Sequence, residues 1–328
     1  MKNYRVAVVG ATGRVGQTFI KVLEERNFPI SKIVFFASKR SAGQEIRFRG
    51  TPYRVMELTT TSFNEGFDFV LFSAGGETSL NFAPYAAEQG AIVIDNSSAW
   101  RMKSGYPLIV PEVNGKVLTA KDKIIANPNC STIQSVVPLK VIHDLFCLKR
   151  VVYSTYQAVS GSGYKGVFDL ERGKNNQEPQ FYAKPIYENV LPHIDDFLES
   201  GYTKEEKKMM DETRKILGIN DLKVTATCVR VPVLNGHSVS INVECEKQID
   251  LPLLKEKMKD MGIHVFENQS YPTPKDVSGS DQIYVGRLRI DDSVLNGLNL
   301  WVVADNIRKG AATNAIEIAE YLIKEGIK

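Results

Sequence analysis

Long apolar runs are missing from this sequence, as are paired cysteines and isolated blocks of like charge. No stretch approaches the roughly 20 apolar residues of a membrane-spanning helix, so no membrane span is expected. The opening MKNYRVAVVGATG runs directly into a strand-and-turn pattern and has no long apolar leader core. That points to the cytoplasm. Four cysteines, Cys130, Cys147, Cys228 and Cys245, form no CxxC pair and are accompanied by only four histidines. A disulfide framework and a structural zinc site are therefore not expected, and no metal is called for. Lys and Arg number 41 against 38 Asp and Glu, with no basic block standing apart. Nucleic-acid binding is not indicated. What is present is an ordinary globular composition, 43% hydrophobic and 24% charged, in 328 residues, long enough for two cored domains.

The first third alternates short apolar runs with amphipathic stretches. YRVAVVG, KIVFFAS, FDFVLFSA, AIVIDNS and KIIANPN read as strands. Between them, Gly13 to Glu25 carries Val15, Phe19, Val22 and Leu23 on one helical face, and a second helix is predicted from about Thr78 to Glu88. Such alternation specifies a parallel sheet covered on both faces, a Rossmann-like α/β domain. From Cys130 the pattern changes. A helix with Pro138 inside it, kinked or locally opened, precedes long alternating runs, LKRVVYSTYQAV to LNLWVVADN. These predict an α+β domain with a mixed sheet, one side solvated or facing another subunit. A polar insertion from about Glu171 to Asn220 holds a charged helix, and a closing helix from about Ala311 to Lys324 is expected to pack back on the first domain. The boundaries predicted are 1–129 with 306–328 for dinucleotide binding, and 130–305 for catalysis and dimerisation.

Gly10-Ala-Thr-Gly13-Arg-Val-Gly16 follows the first strand and opens a helix. Glycines there permit the tight turn and let backbone approach a pyrophosphate at the helix N-terminus. The spacing is GxxGxxG rather than GxGxxG. At the end of the second strand an NAD site would place an acid for the ribose 2′-OH. This chain has Ser38-Lys39-Arg40-Ser41 instead, which suits the 2′-phosphate of NADP.

Cys147, Cys228 and Cys245 lie inside apolar or alternating runs and read as small buried hydrophobes; Cys130 stands apart. It follows Asn127-Pro128-Asn129 at a strand end and begins a predicted helix, where unsatisfied N–H groups and the helix dipole favour a thiolate. Those N–H groups are also candidates to hold an oxyanion, while Ser131 or Thr132 are candidate caps. Beside a nicotinamide, such a thiolate can turn an acyl phosphate into a thioester that hydride reduces to an aldehyde. Of the histidines, only His237 follows a turn with an arginine, Arg230, one short hairpin away.

With GATGRVG, SAWRM at Ser98 to Met102, NPNCST at Asn127 to Thr132, QAVSGSG at Gln157 to Gly163, CVRVPV through GHS at Cys228 to Ser238, and DNIRKGAATNA at Asp305 to Ala315, the chain closely resembles the aspartate-β-semialdehyde dehydrogenase family over nearly its whole length. The resemblance implies roles residue by residue. Cys130 would be the nucleophile, His237 the general acid/base, and Gln157 the residue that orients substrate. Arg230 would clamp the substrate carboxylate, and Glu205 would face its amino group. Arg101 and Lys208 would hold phosphate with Asn129 beside them; a lysine at 207, where a less polar residue is expected, leaves the choice between Lys207 and Lys208 open. NADP would be contacted by Gly10, Thr12, Gly13, Arg14, Val15, Gly16, Ser38, Arg40, Ser41, Ser160, Gly161 and Asn306.

The activity implied is the reversible reduction of aspartyl β-phosphate to aspartate semialdehyde, serving lysine and diaminopimelate, threonine and methionine synthesis. A homodimer is implied, with a tetramer left open. Two other readings are a sister acyl-phosphate reductase of the N-acetyl-γ-glutamyl-phosphate type and a non-catalytic NADP-binding sensor. The joint presence of Cys130 and His237 argues against the second.

Overall fold

The structure is a computed structural model that describes residues 2–328. It forms two compact units, one running to Pro128 and taking in Ala311–Lys328, the other Asn129–Gly310. In the first unit β1 (Tyr4–Val9) leads into α1 (Arg14–Glu25), β2 (Ile30–Ala37) and a small hairpin, β3 (Glu45–Phe48) and β4 (Thr51–Arg54). There follow β5 (Met56–Glu57), β6 (Phe69–Phe72), α2 (Gly76–Glu88), β7 (Ile92–Asp95), α3 (Pro111–Asn114) and β8 (Ile124–Ala126). Six strands make a wholly parallel sheet in the order β5-β2-β1-β6-β7-β8. The chain steps one way from β1 to β2 and the other way from β6 to β8. A ligand crevice opens outside the carboxyl ends of strands at such a reversal.

The apolar periodicity of α1 explains its seat. Phe19, Val22 and Leu23 are buried in the core with Val6, Val8, Phe35 and Phe69 of the strands, and Val15 is half-buried. Each fully buried side chain of this size contributes roughly 1.5–3 kcal/mol.

The second unit contains α4 (Cys130–Phe146), β9 (Leu148–Gln157), α5 (Gly163–Lys174), α6 (Lys204–Leu217), β10 (Lys223–Arg230) and β11 (His237–Cys245). It continues through α7 (Leu251–Asp260), β12 (His264–Val265), α8 (Pro274–Val277), β13 (Tyr284–Asp291) and β14 (Gly297–Ala304). Its mixed sheet runs β10-β9-β11-β14-β13-β12, with β9 and β10 parallel and β11 antiparallel to both β9 and β14. A π-helical turn, Arg308–Thr313, leads to α9 (Asn314–Lys324), whose Ala315, Ile316, Ala319 and Leu322 join the first unit's core.

Two local features differ from the sequence expectation. Helix α4 continues as helix on both sides of Pro138 rather than opening there, because almost every side chain along it is buried and packing offsets the missing hydrogen bond. Helix α5 lies mostly between the predicted strand that ends at Val159 and the insertion that begins near Glu171, where no element is predicted; its Gly163, Gly166 and Gly173 weaken the helical signal. Gly166 has a packing reason, since a Cβ there would collide with the Val159 carbonyl and the Tyr182 hydroxyl.

Candidate active site

Register alone brings three of the singled-out side chains to one end of the second unit's sheet. The last residues of parallel β9 and β10, Gln157 and Arg230, are direct partners. Strand β11 begins with His237 at the same end, its next residue Ser238 opposite Tyr156 of β9. All three side chains are buried. For His237 that is a departure, because a histidine after a turn is ordinarily exposed.

Ala158, directly after β9, holds two of the three. Its N–H donates to His237 Nδ1 at 2.9 Å, and its carbonyl accepts from Arg230 Nη1 at 2.7 Å. Because Nδ1 accepts, the neutral ring carries its hydrogen on Nε2. That atom is buried and has no hydrogen-bond partner among the described residues. Burial, aided by the Arg230 charge, holds the imidazole well below the usual histidine range. His237 is therefore a neutral Nε2–H donor without an acceptor. Gly161 keeps the space beside it: a Cβ there would stand 2.9 Å from Arg230 Nη1 and 3.2 Å from His237 Nε2.

Cys130 heads α4, which packs on β9, β11 and β14. The helix cap is neither Ser131 nor Thr132. Asn129 Oδ1 accepts from the N–H of Ser131 at 2.9 Å and of Thr132 at 3.2 Å. Those two donors are thus occupied, which corrects the expectation that they serve an oxyanion. Cys130 is half-buried, whereas Cys228 and Cys245 are buried. Burial pushes the Cys228 thiol far up and that of Cys245 to about 12, so both behave as packing groups. Cys147, expected to be buried too, is half-buried at the end of α4 with φ 57°.

Helix α6 adds the charged members. Thr203 and Glu206 form a capping box at its start, and Glu206 Oε1 also accepts from the Cys228 N–H. This fixes the helix so that Glu205 points inward. Glu205 Oε1 accepts from Asn129 Nδ2 at 2.7 Å and from Gln157 Nε2 at 3.1 Å. Burial pushes its carboxyl up, but Lys208, the two amides and Arg230 outweigh that and hold it below the usual carboxylate range. Lys208 Nζ lies 3.4 Å from Glu205 and 2.6 Å from Asp195. Lys207 turns outward to Asp211 at 2.8 Å. Of the two lysines, only Lys208 reaches the cluster. Asn129 also gives its N–H to Glu212 at 2.7 Å, so the residue before the nucleophile is anchored at three points.

The remaining candidates fall into two places. In the second unit Asn306 Nδ2 donates to Ser160 Oγ at 3.0 Å, and Asn306 Oδ1 accepts from Gly236 N–H at 2.9 Å. They brace the turn that delivers His237. In the first unit Arg101 is buried, its guanidinium donating to the carbonyls of Asn96 and Asn127, both at 2.9 Å. The glycine turn lies at the carboxyl end of β1. A Cβ on Gly10, at φ +80°, would collide with the Ser73 carbonyl, and one on Gly16 with the Gly10 carbonyl. Gly13 caps α1 with no side-chain bond, and no acid sits in the first turn. The helix N-terminus is left to attract an anion, with Thr12, Arg14 and Val15 around it. Ser38, Lys39, Arg40 and Ser41 form the turn after β2, the strand next to β1. This cradle fits a dinucleotide with a phosphorylated ribose.

Comparison with known proteins decides the family. Residues 5–121 match the NAD binding domain of semialdehyde dehydrogenases, and residues 139–309 match their dimerisation domain. An aspartate-semialdehyde dehydrogenase of Aquifex aeolicus is 53% identical, over 99% of both chains. The chain belongs to the aspartate-semialdehyde dehydrogenase family. Among solved structures, aspartate semialdehyde dehydrogenase II of Vibrio cholerae complexed with ASA is similar with a TM-score of 0.94, at 43% identity over 99% of both chains. That of Candida albicans with NADP has a TM-score of 0.78, at 26% identity over 100% of both chains. The chain is thus an oxidoreductase with a Rossmann-like domain that binds a nicotinamide dinucleotide.

Within this family framework the structure adds two residues that sequence reasoning did not single out. Ala158 works through its backbone alone, and Gly310 through a missing side chain, since a Cβ there would stand 3.0 Å from that of Cys130. Neither leaves a side-chain signature. Among the described residues there is no group of three or more His, Cys, Asp and Glu placed to hold a metal ion, and no helix long and apolar enough to cross a membrane.

Proposed function

We propose that this chain reduces aspartyl β-phosphate to aspartate semialdehyde with NADPH, reversibly, through a thioester on Cys130. The step serves the synthesis of lysine and diaminopimelate, threonine and methionine, in the cytoplasm. Residues 1–129 with 306–328 would hold the cofactor, and 130–305 would carry the acyl chemistry and the subunit contact.

Arg230, whose planar guanidinium suits a carboxylate, binds the α-carboxylate, and Glu205 serves the amino group. The Cys130 thiolate attacks the acyl carbon; the bond to phosphate breaks, and Arg101 and Lys208 receive the phosphate, with Asn129 beside them. NADPH, when bound, supplies hydride to the thioester carbon. Gly10, Thr12, Gly13, Arg14, Val15, Gly16, Ser38, Arg40, Ser41, Ser160, Gly161 and Asn306 would hold it. The oxyanion formed at Cys130 accepts a hydrogen bond from the Nε2–H of neutral His237, which keeps its proton, and collapse of that oxyanion breaks the C–S bond and returns the thiolate. Gln157, fixed by Glu205, orients the acyl group. The half-exposed face of the second sheet, where Tyr156 lies against Trp301 at 5.5 Å between ring centroids, would meet a second copy in a homodimer.

The observation that carries this reading is the meeting of Arg230, Gln157, Glu205 and an unpartnered His237 Nε2 in one unit. A carboxylate clamp, an acid for an amino group and an oxyanion donor are what a thioester of aspartate requires. The test is NADP reduction by aspartate semialdehyde in the presence of inorganic phosphate. Turnover is expected to require phosphate, to exceed that with NAD, and to be absent with N-acetyl-glutamate semialdehyde. Equal rates with the N-acetylated substrate would contradict the amino-group reading.

A further inference from the structure

A buried amide ties the nucleophile's helix to the backbone of the imidazole's own residue. Gln134 lies four residues beyond Cys130 on α4, about one helical turn away. It has no accessible surface. Its Nε2 donates to the His237 carbonyl at 3.0 Å and to the Val302 carbonyl at 3.2 Å. Val302 belongs to β14, which pairs with β11 so that His237 faces Ala304. One side chain thereby spans α4 and two neighbouring strands.

The sequence supplies a reason for such a tie. Pro138, four residues further on, has no N–H, so the carbonyl of Gln134 lacks its helical donor. The helix ladder lacks one bond in the turn that follows that of Cys130. The residues about one turn from Gln134 on α4 are Cys130, Ser131, Val137 and Pro138, the last three buried, and positions buried this deeply are mostly apolar. Gln134 is present instead, with its Oε1 buried and without a partner among the described residues. A buried acceptor left unpaired costs about 1–3 kcal/mol. The two bonds from Nε2 offset part of that cost, and what they join is the helix of Cys130 and the strand start of His237.

We propose that Gln134 is a positioning residue for this reaction, its amide fixing the Cys130 turn of α4 against the start of β11 that carries His237. This rests on the function proposed above. Small displacements of a nucleophile cost much rate, about 10²-fold for 1 Å.

The experiment compares the full-length parent with Gln134→Met, which keeps the volume and removes the donor, and with Gln134→Glu. Gln134→Met is expected to lower kcat about 10- to 100-fold while both KM values stay within about twofold. Active-site titration of the thiol with iodoacetamide should still count one reactive Cys130 per chain. In Gln134→Glu the protonated carboxyl can donate and the ionised one cannot, so its kcat relative to the parent should fall as pH rises. The idea is overturned if Gln134→Met keeps kcat within twofold, if kcat falls only in proportion to titratable thiol, or if the Gln134→Glu ratio is flat with pH. A parent that fails to turn over aspartate semialdehyde refutes the proposed function itself, which separates the two failures.

Discussion

Cys130→Ala is expected to lose turnover by about 10⁴-fold or more in both directions, because no other group in the site can carry the acyl chain. The loss should lie in kcat, with KM for NADP unchanged within about twofold. Thermal stability should hardly move, since the first α4 turn is fixed by Asn129 rather than by sulfur. Steady-state NADP reduction, with a melting curve of the same sample, checks both halves. The other three cysteines cannot substitute. Cys228 and Cys245 are buried with raised thiols, and Cys147 sits at the far end of α4.

Arg230→Lys carries the second large effect. The guanidinium is buried, gives Nη1 to the Ala158 carbonyl, and keeps a buried Nε without a partner among the described residues. Lysine retains the charge and loses the fork, so two-point binding of a carboxylate is lost. A drop of about 100-fold in kcat/KM for aspartate semialdehyde is expected, close to 2.7 kcal/mol at 1.36 kcal/mol per tenfold. It should fall mainly on that substrate's KM. Measuring KM for NADP and for phosphate alongside decides the matter: if either moves as much as that for the aldehyde, Arg230 is not the carboxylate clamp.

How far the sequence reached depends on the kind of signal. Both sheets were legible, because strands buried on two faces read as continuous apolar runs and strands with one open face alternate. The nucleophile was legible too, since a polar-flanked cysteine at a helix start differs from cysteines set in apolar runs. The glycine turn was visible by spacing, and the structure adds its cause in carbonyls that no Cβ could approach. Other parts stayed hidden. The capping role of Asn129 could not be told from that of Ser131 or Thr132, because all three residue types cap helices and only backbone geometry decides. Lys208 could not be told from Lys207 until the capping box had set the rotation of α6. The burial and tautomer of His237 depend on a main-chain N–H seventy-nine positions away in sequence. Helix α5 was hidden by its glycines. What escaped was mainly the work of backbone atoms, which composition and spacing do not encode.

The most direct measurement is the mass of the protein after mixing with aspartyl β-phosphate in the absence of NADPH. One aspartyl group should add to each chain, phosphate should be released in equal amount, and peptide mapping should place the adduct on Cys130, with nothing added in Cys130→Ala. Phosphate-dependent turnover in the parent without any adduct at Cys130, or an adduct that forms equally in the alanine variant, would contradict covalent catalysis by this thiol.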